Sequence, residues 1–313
     1  MTILVTGASG LIGGAVARRL IAEGRPTRLA GRDPRPLRKI FGDAVETVAL
    51  PAPDAPDADF AGLVAGTSAV IHCAALNSDA RDATPDRFTA ANALLPERIG
   101  RAALQAASGP FVHLSSIRAV AGAGVTARID DATMPAPACD YGRSKLEGER
   151  RLEALFAGAT GRRLDIMRLA PVYGGVPGGN LRLLARLADT PLPLPLGGIG
   201  APRSLLALEA AVDAILMLAG PGDGPGTRRF LVSDAHPVTL DRIVAALREG
   251  LGRPRRIVAV PPILLSAPLS LLGQHALWRN LSGGTVCDPS GLEALGWVAP
   301  RDTLERLRAM VAR

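Results

Sequence analysis

The chain has 313 residues, enough for one large domain or two modest ones with a sizeable core. Its 36 Lys and Arg against 29 Asp and Glu give a formal net charge of +7. The arginines are spread along the whole chain and aromatic residues make up only 3%, which argues against nucleic-acid binding. Three scattered cysteines, Cys73, Cys139 and Cys287, exclude a disulfide framework or a paired-cysteine metal site and indicate a reducing compartment.

Targeting and membrane-spanning segments are not predicted. No charged leader precedes the strand-like run at 3–5. The longest apolar stretch, 258–273, is interrupted by Pro261, Pro262 and Pro268 and is shorter than the roughly 20 residues of a spanning helix. We therefore expect a cytoplasmic protein.

Short β-branched runs alternate with helical patterns through the first half of the chain. The predicted strands lie at 3–5, 27–30, 45–49, 69–73, 111–114 and 164–168. The predicted helices lie at 11–22, 86–106 and 141–156. This alternation is typical of a parallel sheet with helices on both faces, so we predict a doubly wound Rossmann α/β fold.

The pattern changes after Pro171, where Gly- and Pro-rich loops separate the remaining elements. Helices are predicted at 205–218, 240–250 and 303–312, and a strand at 230–233. We predict two domains. A dinucleotide-binding Rossmann domain covers 1–171, with return segments near 203–234, and a smaller C-terminal substrate-binding lobe is formed by 172–202 and 235–313.

Three glycines follow the first predicted strand and open the first helix. Gly7 permits a tight turn, Gly10 lets the backbone approach a pyrophosphate, and Gly13 allows the helix to pack closely on the strand. The helix N-terminus offers free N–H groups to phosphate oxygens. The predicted cofactor contacts of this loop are Gly7, Ser9, Gly10, Leu11, Ile12 and Gly13.

The end of the second predicted strand indicates which dinucleotide binds. An acidic residue there would bind the ribose 2′-hydroxyl of NAD, but Gly31 stands at the tip and Arg32 follows it. A guanidinium pairs well with a 2′-phosphate, so the sequence favours NADP over NAD. Asp33 keeps NAD open, since its carboxylate could reach a ribose or pair with Arg32.

The scarcity of tyrosine and lysine points to a catalytic pair. The chain has two tyrosines, Tyr141 and Tyr173, and only two lysines, one of which is Lys145. Tyr141 and Lys145 are four residues apart and therefore share one face of a helix. A neighbouring ammonium lowers the pKa of a tyrosine, which makes it a usable general acid or base. Ser116, at the end of the fifth predicted strand, can hydrogen-bond the reacting oxygen.

These residues together resemble the extended short-chain dehydrogenases/reductases, in their NAD-dependent epimerase/dehydratase branch. The resemblance covers almost the whole chain and includes the glycine loop, Ala74, Ala75, Asn92, Ser115, Ser116, Tyr141, Lys145, Glu149 and the run from Arg168 to Gly174. It implies a catalytic triad of Ser116, Tyr141 and Lys145. It also implies cofactor contacts from Ala74, Ala75, Asn92, Tyr141, Lys145, Pro171 and Val172. Read without the family, Asn92 could equally be a solvent-facing helix residue.

The second half of the chain resembles bacterial nucleotide-sugar 4-epimerases and 4-ketoreductases of surface polysaccharide pathways, most closely reductases of UDP-4-keto-hexosamines. The runs that carry this likeness include Asn180-Leu181 and Arg203-Ser204-Leu205. The likeness implies that Asn180 and Arg203 contact the diphosphate. Asn77 and Ser116 are also predicted to bind the substrate, with Ser116 orienting the C4 oxygen. Arg203 could also be one more surface arginine in an arginine-rich chain.

One departure from the family argues against a dehydration reaction. Dehydratases carry Asp-Glu directly after the active hydroxyl residue, whereas Ile117 and Arg118 follow Ser116 here. Without that pair of carboxylates, dehydration is not expected.

The leading hypothesis is an NAD(P)-dependent oxidoreductase or epimerase that acts at C4 of a nucleotide-linked sugar, with Tyr141 as general acid and base. Two alternatives stay open. One is an NADP-dependent reductase of a non-sugar ketone, such as a steroid or flavonoid, and the other is a non-catalytic dinucleotide-binding protein. The resemblance also suggests a homodimer formed through the helices at 86–106 and 141–156.

Overall fold

The computed structural model describes residues 2–78, 80, 83–122, 126–175, 179–222, 224–271 and 273–312. The chain forms two compact units. The first consists of Met1–Val120, Pro135–Leu169 and Ala211–Phe230, and the second of Ala121–Met134, Ala170–Ala210 and Leu231–Arg313. Compactness does not identify which part binds substrate, so the domain limits given above stay a prediction.

The strands in the described part of the chain are short, and most belong to one sheet. They are β1 (Thr2–Thr6), β2 (Thr27–Gly31), β3 (Glu46–Ala49), β4 (Thr67–His72), β5 (Phe111–Ser116), β6 (Ala127–Ile129), β7 (Arg163–Leu169), β8 (Val172–Tyr173), β9 (Leu206–Ala207), β10 (Gly226–Val232) and β11 (Thr285–Cys287).

The helices that follow these strands carry most of the intervening chain. They are α1 (Leu11–Ala22), α2 (Pro34–Phe41), α3 (Asp57–Val64), α4 (Pro85–Thr89), α5 (Leu95–Ala106), α6 (Asp140–Phe156), α7 (Gly179–Ala188), α8 (Leu208–Leu218), α9 (Leu240–Gly250), α10 (Pro262–Leu271), α11 (His275–Ser282), α12 (Ser290–Glu293) and α13 (Thr303–Met310). Across the described ranges, every helix is too short or too polar to span a bilayer.

A seven-stranded sheet in the order β10-β7-β5-β4-β1-β2-β3 organises the fold. Strand β1 pairs in parallel with both β2 and β4, β2 with β3, β4 with β5, and β5 with β7. This arrangement confirms the predicted doubly wound parallel α/β fold. The chain order reverses between β1 and β4, and in such sheets ligands bind in the crevice at the carboxyl ends of the strands at that switch point.

The apolar core of the first unit lies between the sheet and one layer of helices. Strand residues Leu4 and Val70 pack with Phe60 of α3, Ile99 of α5 and Leu152 of α6, and all five are almost wholly buried. Strands buried on both faces read as continuous apolar runs, which is why β1 and β4 were recognisable in the sequence.

The predicted long helix at 86–106 is interrupted. Helix α4 leads into a π-helical turn at Ala90–Leu94, and α5 continues from Leu95. A π turn adds one residue to a helical turn and is frequent at functional sites. Asn92 lies inside this turn, so its side chain points in a direction that regular helical spacing does not predict.

The second unit contains two small sheets and a buried carboxylate that joins its elements. Strands β6 and β11 pair in parallel, as do β8 and β9. Asp234 accepts hydrogen bonds from the Tyr173 hydroxyl at 2.7 Å, the Thr303 hydroxyl at 2.7 Å and the Ala207 N–H at 2.9 Å. The helix predicted at 205–218 begins instead at Leu208, because the preceding residues form β9.

Candidate active site

The glycine loop after β1 has a geometry that needs glycine at two positions. Gly7 has φ +68°, a conformation that L side chains rarely adopt, and its N–H donates to Ala30 O at 2.9 Å. A Cβ at Gly7 would lie 2.7 Å from the backbone of Ala74, and one at Gly13 would lie 2.4 Å from Gly7 O. The loops after β1 and β4 therefore meet at the switch point with no room for side chains between them.

Helix α1 begins at this loop with its N-terminal N–H groups available. Its first intrahelical bond runs from Gly14 N–H to Gly10 O at 2.8 Å, and no side chain in the described part of the chain caps the helix at Gly10. Ser9, Gly10 and Leu11 are exposed and Ile12 is half-buried. The glycine cradle and the N–H donors of α1 fit the pyrophosphate of a dinucleotide.

The tip of β2 carries no free carboxylate. Gly31 is buried there and Arg32 is exposed. Asp33 accepts the Arg35 N–H at 2.9 Å as the N-cap of α2 and forms an ion pair with the Arg35 guanidinium at 2.7 Å. These hydrogen bonds hold the pKa of Asp33 below its ordinary value. The sequence allowed Asp33 to pair with Arg32, but the structure pairs it with Arg35.

Lys145 is buried in the middle of α6 beside the end of β5. Only 2% of its surface is exposed, and Nζ donates to Leu114 O at 2.7 Å. Burial lowers the pKa of Lys145 to about 8, although the nearby carboxylate of Glu149 opposes the shift. An ammonium held in this way is a fixed positive charge one helical turn from Tyr141.

Tyr141 lies in the first turn of α6 and is half-buried. Its ring contacts Phe88 edge-to-face, with the ring centroids 5.9 Å apart. The Ser144 hydroxyl donates to the Tyr141 carbonyl at 2.9 Å. The structure thus places Tyr141 and Lys145 on one helix with the predicted spacing.

The two serines at the end of β5 have different surroundings. Ser116 is half-buried, and its Oγ accepts the Arg118 N–H at 3.2 Å, which caps the 3₁₀ turn Ile117–Ala119. Ser115 is buried, and its hydroxyl donates to Glu149. Of the pair, Ser116 therefore has the more accessible hydroxyl.

A buried ion pair between Glu149 and Arg168 lies next to Ser115. The sequence analysis did not predict that these two residues pair. Arg168 on β7 donates to both carboxylate oxygens of Glu149, with Nη2 2.7 Å from Oε2 and Nε 3.2 Å from Oε1. Glu149 and Arg168 are 1% and 3% exposed. The one signal for it was that Glu149 lies four residues after Lys145, on the same face of α6.

Asn92 connects three segments through its amide. Its oxygen accepts the Leu76 N–H at 2.9 Å, and its NH₂ group donates to Leu76 O and to Ser144 Oγ, both at 3.0 Å. The residue is 1% exposed, so the interpretation of Asn92 as a solvent-facing residue is wrong. The amide fixes the loop after β4 against α6.

Two buried histidines lie on β4 and β5, and no pattern in the sequence pointed to them. His72 and His113 stack with ring centroids 5.5 Å apart, and His72 Nδ1 is 2.8 Å from Thr6 Oγ1. Burial, together with the charge of Lys145, lowers the pKa of His72 to about 3. The pKa of His113 is lowered as well, chiefly by burial. Both rings are therefore neutral core groups rather than proton carriers at neutral pH.

For the other predicted site residues the structure gives the position in the chain and the exposure. Ala74 is half-buried, and Ala75 and Asn77 lie on the loop after β4. In the second unit, Pro171 is exposed and Val172 is half-buried at the start of β8.

Asn180 and Arg203 were predicted to contact a diphosphate. Asn180 falls in the first turn of α7, and its side chain lies outside the described residues. Arg203 donates from Nη2 to Leu281 O at 2.6 Å and from Nη1 to Asn280 O at 3.2 Å. Its guanidinium therefore already helps to hold α11 in place.

A glycine cradle at the switch point, together with a Tyr–Lys pair at the neighbouring strand end, defines a dinucleotide-binding α/β protein of the dehydrogenase class. Comparison with known proteins makes this specific. Residues 3–231 match the model of the NAD dependent epimerase/dehydratase family. The chain belongs to this family, and NAD is the cofactor of the family.

Two relatives are similar over most of their length. UDP-glucose 4-epimerase of Vibrio cholerae is 32% identical over 256 residues, which cover 79% of this chain and 76% of that protein. The 2′-dehydrokanamycin reductase of Streptomyces kanamyceticus is 31% identical over 270 residues, covering 83% and 70%.

Solved structures with the same fold include nucleotide-sugar enzymes. UDP-glucose 4-epimerase of Thermotoga maritima with UDP-glucose has a TM-score of 0.78 at 21% identity, over 99% of this chain and 97% of that one. MoeE5 in complex with UDP-glucuronic acid and NAD has a TM-score of 0.76 at 23% identity, over 99% and 98%. At such identities the likeness establishes the fold.

Proposed function

We propose that the chain transfers a hydride at C4 of a nucleotide-linked sugar, as an NAD(P)-dependent epimerase or 4-ketoreductase. The observation that carries the proposal is the burial of Lys145 against Leu114 O, one turn from Tyr141 and beside the serine-bearing end of β5. A buried ammonium has a high energetic cost and is kept where chemistry needs it.

The proton chemistry follows from three side chains. Tyr141 gives the hydroxyl proton to the sugar oxygen during reduction and takes it back during oxidation. Lys145 stabilises the phenolate that remains, because its positive charge lies on the same face of α6. Ser116 orients the reacting oxygen by hydrogen bonding. The dinucleotide, when bound in the glycine cradle, supplies or accepts the hydride.

The cofactor preference is proposed from the tip of β2. Asp33 is engaged by Arg35, and Arg32 is exposed beside the buried Gly31. A guanidinium at this place suits a 2′-phosphate, so we expect the chain to accept NADP as well as NAD. Affinities of the wild-type protein and of Arg32→Ala for NADP and NAD test this. A loss confined to NADP supports the assignment, and equal losses contradict it.

The substrate class is proposed from the relatives. The Vibrio cholerae relative is named for action on UDP-glucose, and the MoeE5 structure holds UDP-glucuronic acid. Contacts to the substrate are proposed from Asn77, Ser116, Asn180 and Arg203. Dehydration is not proposed, because Ile117 and Arg118 follow Ser116 where a dehydratase needs carboxylates.

A reductase is the second candidate within this chemistry. The exposed Arg32 favours an exchangeable NADP(H), and one relative, which aligns with 83% of this chain, is named as a 2′-dehydrokanamycin reductase. An epimerase instead retains its dinucleotide and returns the hydride to the other face of the keto sugar.

Two incubations distinguish these activities. Purified protein with UDP-glucose and NAD should form UDP-galactose if it is an epimerase, as measured by NMR of the anomeric protons. With a UDP-4-keto sugar and NADPH, a reductase should oxidise the NADPH, which is followed as a loss of NADPH absorbance. A rise in the melting temperature on adding UDP supports a nucleotide-linked substrate. No such rise, combined with reduction of steroid or flavonoid ketones, would favour the non-sugar alternative.

Replacement of the tyrosine tests whether the protein is catalytic at all. Tyr141→Phe should lower turnover by a factor of about 100 or more, because the proton donor is lost while ring packing on Phe88 is kept. Unchanged turnover would instead indicate a non-catalytic dinucleotide-binding protein.

Assembly and compartment are also proposals. We expect a homodimer formed through α4–α5 and α6, which light scattering of the purified protein tests. The three cysteines are all unpaired, which supports a reducing compartment such as the cytoplasm.

A further inference from the structure

Helix α10 is apolar around its whole circumference, although it lies at the surface of the second unit. Apart from two serines, all residues of Pro262–Leu271 are apolar. None of them is buried, and Ile263, Leu264 and Leu271 are 68%, 62% and 88% exposed. A surface helix ordinarily carries polar side chains on its outer face, so α10 exposes a kind of surface that globular proteins normally cover.

The exposed residues of α10 form a row along one side of the helix. Leu264, Pro268 and Leu271 follow one another at intervals of four and three residues, which places them on one face. All three are exposed, whereas Leu265 and Leu269, which are also four residues apart, are half-buried. The helix packs on α11. Its outer row is therefore an apolar face that the described part of the chain leaves open.

The chain around α10 carries positive charge and lacks acidic residues. From Gly250 to Cys287 the sequence contains no Asp or Glu, and Arg253, Arg255 and Arg256 precede the helix. An apolar helix next to basic residues, in a segment without carboxylates, is typical of helices that lie in the interface of an anionic membrane.

Of these three arginines, Arg256 has the least compensated charge. Arg253 and Arg255 each form an ion pair with a carboxylate outside the segment. Arg256 is exposed, and its Nη1 donates to the uncharged Pro191 O at 3.3 Å, with no described carboxylate paired to it. Burial lowers the pKa of Arg248, and the charges of Arg256 and Arg253 lower it further, as expected at a site of positive potential.

Exposed apolar residues are present at the arginine end of the segment as well. The Leu194 N–H donates to Arg256 O and the Val258 N–H donates to Leu194 O, both at 2.9 Å, so these two stretches of chain lie side by side. Leu192 and Val258 are themselves exposed. Positive charge and apolar surface therefore occur together at the start of the segment.

A lipid bilayer fits this surface better than a second copy of the chain does. In a symmetric dimer the same patch lies on both sides of the contact, so positive surfaces would meet without a carboxylate of the segment to neutralise them. An anionic bilayer offers hydrocarbon to the leucines and negative headgroups to the arginines. The ten residues of α10 span about 15 Å, which is too short to cross a bilayer and suits a helix that lies along its surface.

We propose that α10 is a membrane-docking helix, which binds the second unit to an anionic lipid bilayer with its exposed leucines among the acyl chains and Arg256 at the level of the phosphates. The helix lies parallel to the membrane plane and does not span it. This attachment goes beyond the proposed function and does not rest on it, because no residue of the segment 250–287 was assigned a part in the reaction.

Co-sedimentation of the full chain with lipid vesicles tests the proposal. The wild-type protein should bind vesicles made of equal parts of phosphatidylglycerol and phosphatidylcholine, and should bind vesicles of phosphatidylcholine alone about tenfold more weakly. Leu264→Glu should weaken binding to the mixed vesicles by about tenfold or more, because it places a charge in the apolar row. Ile40→Glu is the matched control, since Ile40 is an exposed apolar residue beside Lys39 on α2, and it should leave binding unchanged.

A second pair of variants separates local charge from the net charge of +7. Arg256 has φ +34°, a region of backbone conformation that asparagine tolerates. Arg256→Asn should weaken binding to the mixed vesicles by about fivefold and leave binding to phosphatidylcholine alone unchanged. Arg18→Asn removes the charge of an exposed arginine on α1 and should have no effect.

Weaker binding by Leu264→Glu together with normal binding by Ile40→Glu supports the proposal. Wild-type protein that does not bind the mixed vesicles overturns it. Equal binding by the wild type and Leu264→Glu, or equal losses in Leu264→Glu and Ile40→Glu, also overturns it, because the net charge alone would then explain adsorption. If Leu264→Glu does not fold, as judged by circular dichroism, Leu271→Glu replaces it under the same criteria.

Light scattering tests the second copy as the occupant. Assemblies that become smaller in Leu264→Glu, without vesicle binding by the wild type, would make α10 an interface between copies and overturn the proposal. Neither assay contains a dinucleotide or a substrate, so the result is independent of whether the proposed activity is found.

Discussion

At the scale of single residues, Gly13 shows that the cofactor loop needs glycine, because even the methyl group of alanine would not fit at this position. A Cβ there would lie 2.4 Å from Gly7 O, which belongs to a backbone that cannot move aside. Gly62 in α3 offers the opposite case, since a Cβ there would meet nothing within 4 Å.

We expect Gly13→Ala to destabilise the protein by about 1–3 kcal/mol and to weaken dinucleotide binding by about tenfold or more. Gly62→Ala, the matched control, should gain about 0.5–1 kcal/mol from its better helix propensity and leave binding unchanged. Urea unfolding and a fluorescence titration with NADH measure the two effects. Tight binding by Gly13→Ala would contradict the role of the loop.

Lys145 is a second example at the scale of single residues. Its burial serves the proposed chemistry and lowers the free energy of unfolding. Its folded-state pKa of about 8 lies below the ordinary value of 10.5, so the folded protein opposes the charged form. The penalty is complete below about pH 8 and disappears as the pH rises toward 10.5, because the unfolded chain then also loses its proton.

Lys145→Met should therefore unfold at a higher denaturant concentration than the wild type at pH 7, with a gain of about 1 kcal/mol or more. The advantage should shrink between pH 8 and 10.5, and turnover should be lost at every pH. Chemical unfolding at several pH values checks the trend. A variant that is less stable at pH 7 would show that the hydrogen bond to Leu114 outweighs the buried charge.

At the scale of elements, α6 is the platform of the site. Tyr141, Lys145 and Glu149 follow one another at intervals of four residues, so they share one face of the helix. That face lies against β5 and β7, where Leu114 accepts from Lys145 and Arg168 pairs with Glu149. Gly148 allows this approach on the neighbouring side, since a Cβ there would lie 2.1 Å from Asn92 O.

Removing one partner of the buried Glu149–Arg168 ion pair on α6 should lower the free energy of unfolding strongly. Replacing both partners with apolar residues should lower it much less. Glu149→Ala leaves the Arg168 guanidinium buried without its partner, and we expect a loss of about 3–5 kcal/mol. The double variant Glu149→Leu with Arg168→Met should recover most of that loss.

Glu153→Ala is the control on the same helix, since its partner Arg229 is 44% exposed in the side chain, and it should cost about 1 kcal/mol or less. Thermal and urea unfolding measure all three variants. Equal losses in Glu149→Ala and Glu153→Ala would contradict the assigned role of the buried pair.

At the scale of the whole molecule, the net charge of +7 reflects arginines that hold the fold together. Arg248 is wholly buried and donates to Pro254 O at 2.8 Å, Thr190 O at 2.9 Å and Leu192 O at 3.0 Å. Arg163 binds two carbonyls near the end of α8 and pairs with Asp165 at 3.0 Å. Such arginines are unavailable for a nucleic-acid backbone.

The accessibility of thiols gives a test at the same scale. Cys287 is buried, Cys73 is half-buried and Cys139 is exposed, and desolvation raises the pKa of Cys73 and of Cys287 to about 12. We expect the folded protein at neutral pH to react rapidly with one equivalent of a thiol reagent and with three after unfolding. Absorbance of the released chromophore gives the count. Rapid reaction of all three thiols in the folded protein would contradict the packing around β4 and β11.

The sequence by itself determined the parts of this protein that depend on local spacing. The glycine loop, the alternation of strands with helices and the interval between Tyr141 and Lys145 are all short-range patterns, set by backbone sterics and by helical and strand periodicity. These patterns are sufficient to predict the fold and the family.

Only the tertiary structure decided what surrounds those groups. Three contacts join segments from different strands and helices: the partners of Glu149, the amide of Asn92 in its π turn, and the Arg118 carbonyl against Gly142. Their separation along the chain is set by crossovers of variable length, so no periodicity records it. Packing of α6 on the carboxyl ends of β5 and β7 brings these charges together and buries them, and that burial is the physical reason why their chemistry differs from what the sequence alone shows.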